Sequence, residues 1–356
     1  MKGGSIMKDV FSPFRIKNLN FKNRFIRSAT HDWMGNEDGS ISDRQLALYK
    51  ELARGEIGLI ISGHSCVEFP RGRAGIRQNR IDDDRFVEGY RKMSDMIHEN
   101  GSLFAVQISH AGSQTNKDFI NNLEPIDHNT MNIDEINILI DAFTKAALRA
   151  KLSGADAICV HMAHGYFLCR TLFSDSNKRE DEFGKSIANR SKIALKIIDS
   201  IRTAVGKDYP IFVKLNSTGG TGDGHIQLEE LVSLSTLLEE HGVDLIEISG
   251  GAVGSKNNPI DRLNILKVED EGYFLERAKV VRKNVGSALS IVGGIRSLSL
   301  MNEIIENGVS DFVSLSRPFI REPDLIIRLK NGQEKVSCIS CSKCRNYDGI
   351  HCVFNK

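Results

Sequence analysis

Short apolar runs rich in β-branched residues alternate along the chain with longer segments whose apolar positions repeat at helical spacing. The apolar runs predict buried strands at residues 24–27, 58–61, 103–108, 157–160, 211–215, 245–248, 289–292 and 311–315. The segments between them predict amphipathic helices at residues 43–54, 85–100, 134–153, 189–205, 228–241, 273–284 and 298–307. Several of these helices run into a glycine, as at Gly101, Gly154, Gly242 and Gly308, which is a common helix stop.

This alternation predicts parallel strands joined by crossover helices, which either close into a barrel or open into a doubly wound sheet. The strands are short and evenly spaced, and a length of 356 residues suits a barrel with insertions. No glycine-rich dinucleotide fingerprint follows an early strand, which disfavours the open sheet. We therefore expect an α/β protein with a (β/α)8 TIM barrel over residues 1–335 and a short cysteine-rich tail over residues 336–356.

Composition narrows the class of protein. Hydrophobic residues make up 40% of the chain and charged residues 26%, a balance typical of soluble globular proteins. The formal net charge of +1 gives no reason to expect nucleic acid or a membrane surface as a partner. No apolar run approaches the length of a membrane span, and the polar N-terminus lacks the apolar core of a signal peptide, so we expect a cytoplasmic protein.

The windows just after the strands are where a barrel of this kind places its chemistry. His161, His164 and Tyr166 follow the fourth predicted strand. Two neutral imidazoles can donate hydrogen bonds to an oxygen that becomes negative, and a nearby tyrosine can deliver a proton to carbon. A pair of metal ligands, or histidines bonded to backbone carbonyls, would have the same spacing.

Two polar residues interrupt apolar strands. Gln107, in the third strand, can offer both a donor and an acceptor to the edge of a heterocycle, although a buried glutamine bonded to backbone fits as well. Lys214, in the fifth strand, is costly to bury unless its charge is paired. An anionic reduced flavin, a phosphate, or Glu247 on the next strand would pair it.

The last two strands end in segments that suit a phosphate. Gly293, Gly294 and Arg296 follow the seventh strand, and Ser316 and Arg317 follow the eighth. Loops at this place in barrels often bind phosphate, because glycines let backbone N–H groups approach and arginine offers a forked charge. The pattern indicates a phosphorylated ligand and does not separate FMN from a sugar phosphate.

Together these segments resemble the Old Yellow Enzyme family of NAD(P)H:flavin oxidoreductases. The segments that are similar to family motifs lie, in the family's order, at residues 11–19, 22–24, 107–112, 161–166, 176–190 and 317–319. They cover the N-terminal signature, the third-strand motif, the substrate-anion motif, the loop after strand four and the last phosphate segment. The likeness runs from about residue 10 to residue 330.

The resemblance implies noncovalently bound FMN, NAD(P)H as co-substrate, and a small electrophile such as an activated alkene as substrate. It assigns flavin and phosphate binding to residues near the strand ends, namely Ser28, Ala29, Thr30, His31, Gly63, His64, Gln107, Lys214, Gly293, Gly294, Arg296, Ser316 and Arg317. It also implies that His161 and His164 hold the substrate oxygen, that Tyr166 is the proton donor, and that Trp33 shapes the pocket.

The sequence departs from the family pattern at two places. The residue that tunes the flavin potential, often cysteine or threonine in the family, falls here at Thr30 or His31. Lys214 stands where many members carry arginine, and only arginine offers a fork of donors. Barrels of this family often pair through surface helices, so we expect a homo-oligomer.

Four cysteines crowd the tail, at Cys338, Cys341, Cys344 and Cys352. In a chain without an export signal such a group suggests a metal before it suggests disulfides. Its spacing suits a 4Fe–4S cluster or zinc, with free thiols as the remaining alternative. A similar run holds a 4Fe–4S cluster in dienoyl-CoA reductases and trimethylamine dehydrogenase, so this resemblance also implies a protein electron partner. The last gap, seven residues, is shorter than in those relatives.

Two other functions compete with alkene reduction. A barrel aldolase or isomerase acting on a phosphorylated metabolite would use Lys214 as a Schiff-base lysine, but it leaves Gln107 and the histidine pair without a role. A flavin and iron–sulfur electron-transfer protein, or an amine-dehydrogenase-like enzyme, would keep the flavin. The histidine pair, which suits an oxygen anion, favours alkene reduction over both.

Overall fold

The eight expected strands are all present, and short additional strands accompany them. The structure is a computed structural model that describes residues 8–218 and 226–355. Within these residues the strands are β1 (Phe14–Ile16), β2 (Leu19–Phe21), β3 (Phe25–Arg27), β4 (Leu59–Ile61), β5 (Ser65–Cys66), β6 (Leu103–Ser109), β7 (Ala157–Met162), β8 (Ile211–Asn216), β9 (Leu245–Ser249), β10 (Ala288–Val292) and β11 (Phe312–Leu315).

The barrel is closed. Strand β3 pairs in parallel with β4, β4 pairs with β6, and the series continues strand by strand to β11, which returns to pair with β3. The predicted (β/α)8 TIM barrel is therefore confirmed. The register places His161 beside Lys214 on β7 and β8, and Lys214 beside Glu247 on β8 and β9. These three polar residues consequently lie side by side on neighbouring strands.

Helices surround the barrel and join its strands. In the described residues they are α1 (Asp43–Arg54), α2 (Val87–Glu99), α3 (Ile133–Leu152), α4 (Phe167–Leu172), α5 (Ile187–Arg190), α6 (Lys192–Val205), α7 (Leu228–Glu240), α8 (Leu275–Arg282), α9 (Leu298–Glu306), α10 (Arg317–Arg321) and α11 (Leu325–Lys330). The helix expected at residues 189–205 is divided at Ser191, where α5 ends and α6 begins. No helix in the described part of the chain is long and apolar enough to cross a membrane.

An antiparallel hairpin of β1 and β2 closes the N-terminal end of the barrel. Its Phe21 ring lies 4.7 Å from the Phe312 ring, and the Phe14 ring lies 5.1 Å from the same partner. Phe312 and Leu245, at the starts of their strands, pack with the hairpin in one buried apolar cluster. In the described residues this end of the barrel is filled with apolar side chains, which leaves the carboxyl ends of the strands as the place for a ligand.

Candidate active site

A cavity of about 840 Å³ opens at the carboxyl ends of the barrel strands. This volume lies in the range of cofactor and ligand sites. Nearly all the residues assigned to the site line it: Ser28, Ala29, Thr30, His31, Trp33, His64, Gln107, His161, His164, Tyr166, Lys214, Gly293, Gly294, Arg296, Ser316 and Arg317. Residues scattered over the sequence therefore meet at one mouth, as the strand-end rule predicts.

Gly63, which the resemblance assigns to flavin binding, does not line this cavity, whereas its neighbour His64 does. The backbone N–H of Gly63 donates instead to the Tyr49 hydroxyl at 2.9 Å, behind the cavity wall. The His64 ring is buried and shares a hydrogen bond of 2.9 Å with the Ser109 hydroxyl through Nδ1. The second strand thus presents a side chain to the cavity rather than the backbone of Gly63.

His161, on the fourth barrel strand, and His164, just after it, lie edge to face. Their ring centroids are 5.1 Å apart. His164 and Gly165 both adopt left-handed backbone (φ 66° and 81°), which turns the chain back so that His164 lies beside the strand residue His161. The His164 Nε2 shares a hydrogen bond of 2.9 Å with the Ser249 hydroxyl, while His161 Nδ1 is buried without a partner in the described residues.

These histidines are held neutral. Burial is the largest cause that lowers the pKa of His161 and of His164 well below its usual range, and the positive charge of Lys214 adds to the effect. In the described residues no group of three or more His, Cys, Asp or Glu side chains is arranged to hold a metal ion. Two neutral imidazoles at a cavity wall can donate N–H groups to a ligand oxygen without adding charge.

Tyr166 completes the substrate side of the cavity. Its ring lies 5.2 Å from the ring of His161 and 5.0 Å from that of His64. Burial raises the pKa of Tyr166 to about 12, although the charge of Arg345 opposes the shift. The phenol therefore keeps its proton at neutral pH and is available as a donor.

Lys214 is buried inside the barrel and is paired. Its Nζ donates to the Ser28 hydroxyl at 2.7 Å and lies 3.7 Å from the Glu247 carboxylate. Ser28 in turn donates to Glu247 Oε1 at 2.5 Å, and Glu247 Oε2 is buried without a partner in the described residues. The ion pair with Glu247 that the sequence offered as an alternative is present, and Lys214 still reaches the cavity.

The side-chain amide of Gln107 donates its hydrogen bond to another side chain and not to backbone. Its Nε2 donates to the Cys159 sulfur at 3.3 Å, and its backbone N–H donates to the Ser62 hydroxyl at 3.1 Å. A thiol is a weak acceptor, so this bond is weaker than one to oxygen. The amide lines the cavity with donor capacity that a ligand can use.

The loop after β3 carries both candidates for the residue that tunes the flavin potential, and their hydrogen bonds distinguish them. The Thr30 hydroxyl donates to the Ser28 carbonyl at 2.9 Å and lies 2.8 Å from the Ser316 hydroxyl, so it is engaged in the wall. His31 stacks on Trp33 at 4.6 Å, and its Nε2 is buried without a partner in the described residues. Burial lowers the pKa of His31 to about 4. Of the two, His31 has the uncommitted nitrogen.

The opposite end of the cavity has the features of a phosphate cradle. Gly293 and Gly294 both have positive φ (148° and 70°), and a Cβ on Gly294 would come within 2.7 Å of the Tyr273 ring. Glycine is therefore required there. Arg317 lines the same cavity, and its guanidinium donates to the Ser342 hydroxyl at 2.8 Å.

Arg296, expected to bind phosphate, has its guanidinium committed to backbone. It donates to the carbonyls of Ile265 and, at 3.2 Å, Val336. Its Nε is buried without a partner in the described residues. The arginine thus fastens the start of the tail to the barrel while it lines the cavity.

The four tail cysteines are free thiols that line one small cavity of about 20 Å³. Cys344 lines the large cavity as well, so the two sites share a wall. Burial is the largest cause that raises the pKa of Cys338 and of Cys344.

The sequence reasoning missed a set of cavity residues in the tail. Arg345, Asn346 and Tyr347 line the large cavity, and the Tyr347 ring meets Trp33 edge to face at 5.7 Å. Asp261, from the loop after β9, lines it too and pairs with Arg345 at 2.6 Å. No spacing in the sequence signals these contacts, because they join distant parts of the chain.

A closed barrel with a cation-bearing cavity at the carboxyl ends of its strands has the architecture of a TIM-barrel enzyme. The chain belongs to the NADH:flavin oxidoreductase / NADH oxidase family, whose sequence model matches residues 9–335. This membership confirms the family that the motifs predict and replaces the aldolase interpretation of Lys214.

Two characterised relatives are similar over most of this chain. A NADH oxidase of Thermoanaerobacter brockii is 32% identical over 348 residues, which is 94% of this chain and 53% of that protein. A NADPH dehydrogenase of Bacillus subtilis (strain 168) is 30% identical over 325 residues, 89% of this chain and 92% of that protein. The chain thus spans about half the length of the first relative and nearly all of the second.

Solved structures support the same fold. A 2-naphthoyl-CoA reductase in complex with 2-naphthoyl-CoA superposes with a TM-score of 0.84 at 24% identity, over 96% of this chain and 55% of that one. The old yellow enzyme homologue from Zymomonas mobilis superposes with a TM-score of 0.78 at 20% identity, over 93% and 95% of the two chains. At these identities the likeness establishes the fold.

Proposed function

We propose that this chain is an FMN-dependent NAD(P)H oxidoreductase of the ene-reductase type, which reduces an activated alkene or a related small electrophile. One observation carries the proposal: two buried neutral histidines and a protonated tyrosine lie together in a cavity whose other end is a glycine-lined cation site. The names of the two relatives, an NADH oxidase and an NADPH dehydrogenase, support a nicotinamide donor.

The residues present fit FMN. Gly293, Gly294 and Arg317 would hold its phosphate, since only glycine fits the close approach there. Lys214 would stabilise negative charge on the ring system, and Gln107 would bond a polar edge. Bound FMN supplies the hydride chemistry that protein side chains lack, taking hydride from a nicotinamide and giving it to carbon.

The chain's own residues would orient and polarise the substrate. His161 and His164 would donate to the carbonyl oxygen of the substrate and stabilise the negative charge that develops there. Tyr166 would donate its phenolic proton to the α-carbon, because its raised pKa keeps it protonated until the carbon becomes basic.

We also propose that the tail, residues 336–356, is a separate functional unit in which Cys338, Cys341, Cys344 and Cys352 hold an iron–sulfur cluster, with zinc as the alternative. The spacing of the four thiols supports this. In the described residues the thiols are not arranged as a metal-binding group, so binding a metal would draw them together. A cluster would supply one-electron transfer and would call for a protein electron partner. Iron, zinc and sulfide analysis of protein purified without oxygen distinguishes the two metals.

Isotope labelling tests the reductase function. The FMN-reconstituted protein is given cyclohex-2-enone with nicotinamide carrying deuterium at the reactive position, and in a second reaction with unlabelled nicotinamide in D₂O. We expect deuterium at the β-carbon of the product in the first reaction and at the α-carbon in the second. A saturated ketone without nicotinamide-derived deuterium at the β-carbon, or no ketone from any activated alkene, would overturn the proposal.

A further inference from the structure

The tail brings an arginine to the substrate side of the cavity. Arg345 follows Cys344, and both line the cavity together with His164 and Tyr166. The Arg345 side chain is 56% exposed, so its charge is accessible from the cavity mouth. The segment that carries it is fixed to the barrel, because the N–H of Ile350 donates to the Asp32 carbonyl at 2.9 Å.

The charge of Arg345 is only partly compensated. Its partner Asp261 accepts one N–H, from Nη2, at 2.6 Å. The other oxygen of Asp261 lies 3.7 Å from Arg317 and also accepts from the Ser342 hydroxyl. One carboxylate is therefore shared by two arginines, and a guanidinium has five N–H donors. Within the described residues Asp261 provides the one side-chain hydrogen bond to Arg345.

The remaining cations of the cavity have other partners. Lys214 is paired with Glu247, Arg296 is bonded to backbone, and Arg317 donates to the Ser342 hydroxyl. Arg345 also lies near the histidine side, because its partner Asp261 comes two residues after Pro259, which pairs with Ala252, and Ala252 in turn pairs with His164. Among the cavity cations of the described residues, Arg345 is thus one that lies near the substrate side and keeps N–H donors to offer.

We propose that Arg345 binds a carboxylate of the substrate, so that the preferred substrates are activated alkenes that carry a carboxylate in addition to the carbonyl held by the histidines. This inference rests on the proposed function and names its substrate class. A guanidinium binds a carboxylate through paired, charge-assisted hydrogen bonds, which fix orientation as well as adding affinity. A second anchor of this kind would set which alkene carbon faces the flavin.

The test compares an acid with its ester. The substrates are 4-oxopent-2-enoate and its methyl ester, which share the enone and differ in charge. The variants are Arg345→Gln, Arg345→Lys and, as a matched control, Arg77→Gln. Arg77 also ties the tail to the barrel, through Asp348 at 3.3 Å, but it does not line the cavity.

We expect Arg345→Gln to raise KM for the acid by about 10- to 100-fold, the effect of losing a charged hydrogen bond, with KM for the ester nearly unchanged. Arg345→Lys should recover part of the loss, and Arg77→Gln should leave both constants near the unaltered values. An equal rise for acid and ester, or the same effect from Arg77→Gln, would show a structural role and overturn the inference.

A further comparison, of NADPH with NADH, tests whether Arg345 binds the substrate carboxylate or the phosphate of the nicotinamide. If Arg345 instead binds the phosphate of the nicotinamide, Arg345→Gln raises KM for NADPH, leaves KM for NADH and for the acid unchanged, and overturns the inference. Reduction of the ester but not of the acid by the unaltered protein would also overturn the inference about Arg345, while leaving the reductase function intact. If neither compound is reduced although cyclohex-2-enone is, the inference fails and the reductase function stands; if cyclohex-2-enone and other activated alkenes are not reduced either, the proposed function itself fails.

Discussion

The indole of Trp33 and the phenol ring of Tyr347 meet edge to face, with 5.7 Å between their centroids. Trp33 lies in the loop after β3 in left-handed backbone (φ 53°), which is rare for a bulky residue and is a mark of functional sites. Tyr347 lies in the cysteine-rich tail. The barrel and the tail therefore build one cavity wall together, and the shape of the substrate side depends on the fold of the tail.

Loss of one tail cysteine should remove the metal without removing the flavin. We expect Cys352→Ala to lower iron, sulfide or zinc content well below that of the unaltered protein, because the site loses one of its four thiolate ligands. FMN content should stay near one per chain, since this thiol does not line the flavin cavity. Metal analysis and flavin release measure both, with Cys169→Ala as the control for loss of a buried thiol. Metal retained by Cys352→Ala would contradict the assignment.

Removal of the tyrosine hydroxyl should separate the two half-reactions. We expect Tyr166→Phe to slow reduction of the alkene by about 10²- to 10⁴-fold, the usual contribution of a positioned proton donor. Reduction of the flavin by nicotinamide needs no proton from this residue and should be unaffected. Anaerobic stopped-flow spectroscopy follows each half-reaction separately. Equal slowing of both would remove Tyr166 from the donor role.

The buried pair of Lys214 and Glu247 should show strong coupling in stability. Removing either partner leaves a buried charge unpaired, so we expect Lys214→Met or Glu247→Gln alone to lower the free energy of unfolding by about 3–5 kcal/mol. The double variant should lose less than the sum of the two. Urea unfolding of the flavin-free protein gives all three values. Additive losses would show that the 3.7 Å contact carries no coupling.

Acid should destabilise the fold through its buried histidines. The pKa of His31 lies at about 4 in the folded protein, below its ordinary value of 6.5, so the unfolded chain takes up a proton first as the pH falls. The contribution of neutral His31 to the free energy of unfolding is complete above pH 6.5. It is lost as the pH falls toward 4, at up to about 1.4 kcal/mol per pH unit.

Burial acts in the same direction on His64, His161 and His164. We therefore expect the free energy of unfolding, measured with urea at each pH across this range, to change less steeply with pH for His31→Asn than for the unaltered protein. Identical slopes would mean that His31 titrates normally in the folded state.

Much of the fold could be predicted because the barrel strands are buried on both faces and read as continuous apolar runs. The strand predicted at residues 103–108 is Leu103–Ser109, and the helix predicted at residues 43–54 has those bounds in the structure. The hairpin of β1 and β2 was missed, because each of its three-residue strands has a polar residue in the middle and so forms neither an apolar run nor a visible alternation. Helix α4 was missed because of its short length.

The site could be predicted as far as it follows the strand ends. His161, Tyr166 and Lys214 meet at one mouth because parallel strands of a closed barrel all end there. The bonds of Arg296 to backbone and the place of Arg345 in the cavity wall depend on how the tail packs on the barrel. Such long-range contacts leave no periodic trace in the sequence, so they could only be found in the structure.

The absorption spectrum of protein purified without oxygen, recorded before and after addition of FMN and then of NAD(P)H, tests the central claim most directly. We predict flavin bands that stay with the protein through gel filtration and bleach when nicotinamide is added, with a broad iron–sulfur shoulder if the tail holds its cluster. Protein that remains colourless after incubation with FMN would contradict the assignment of a flavin to the barrel mouth.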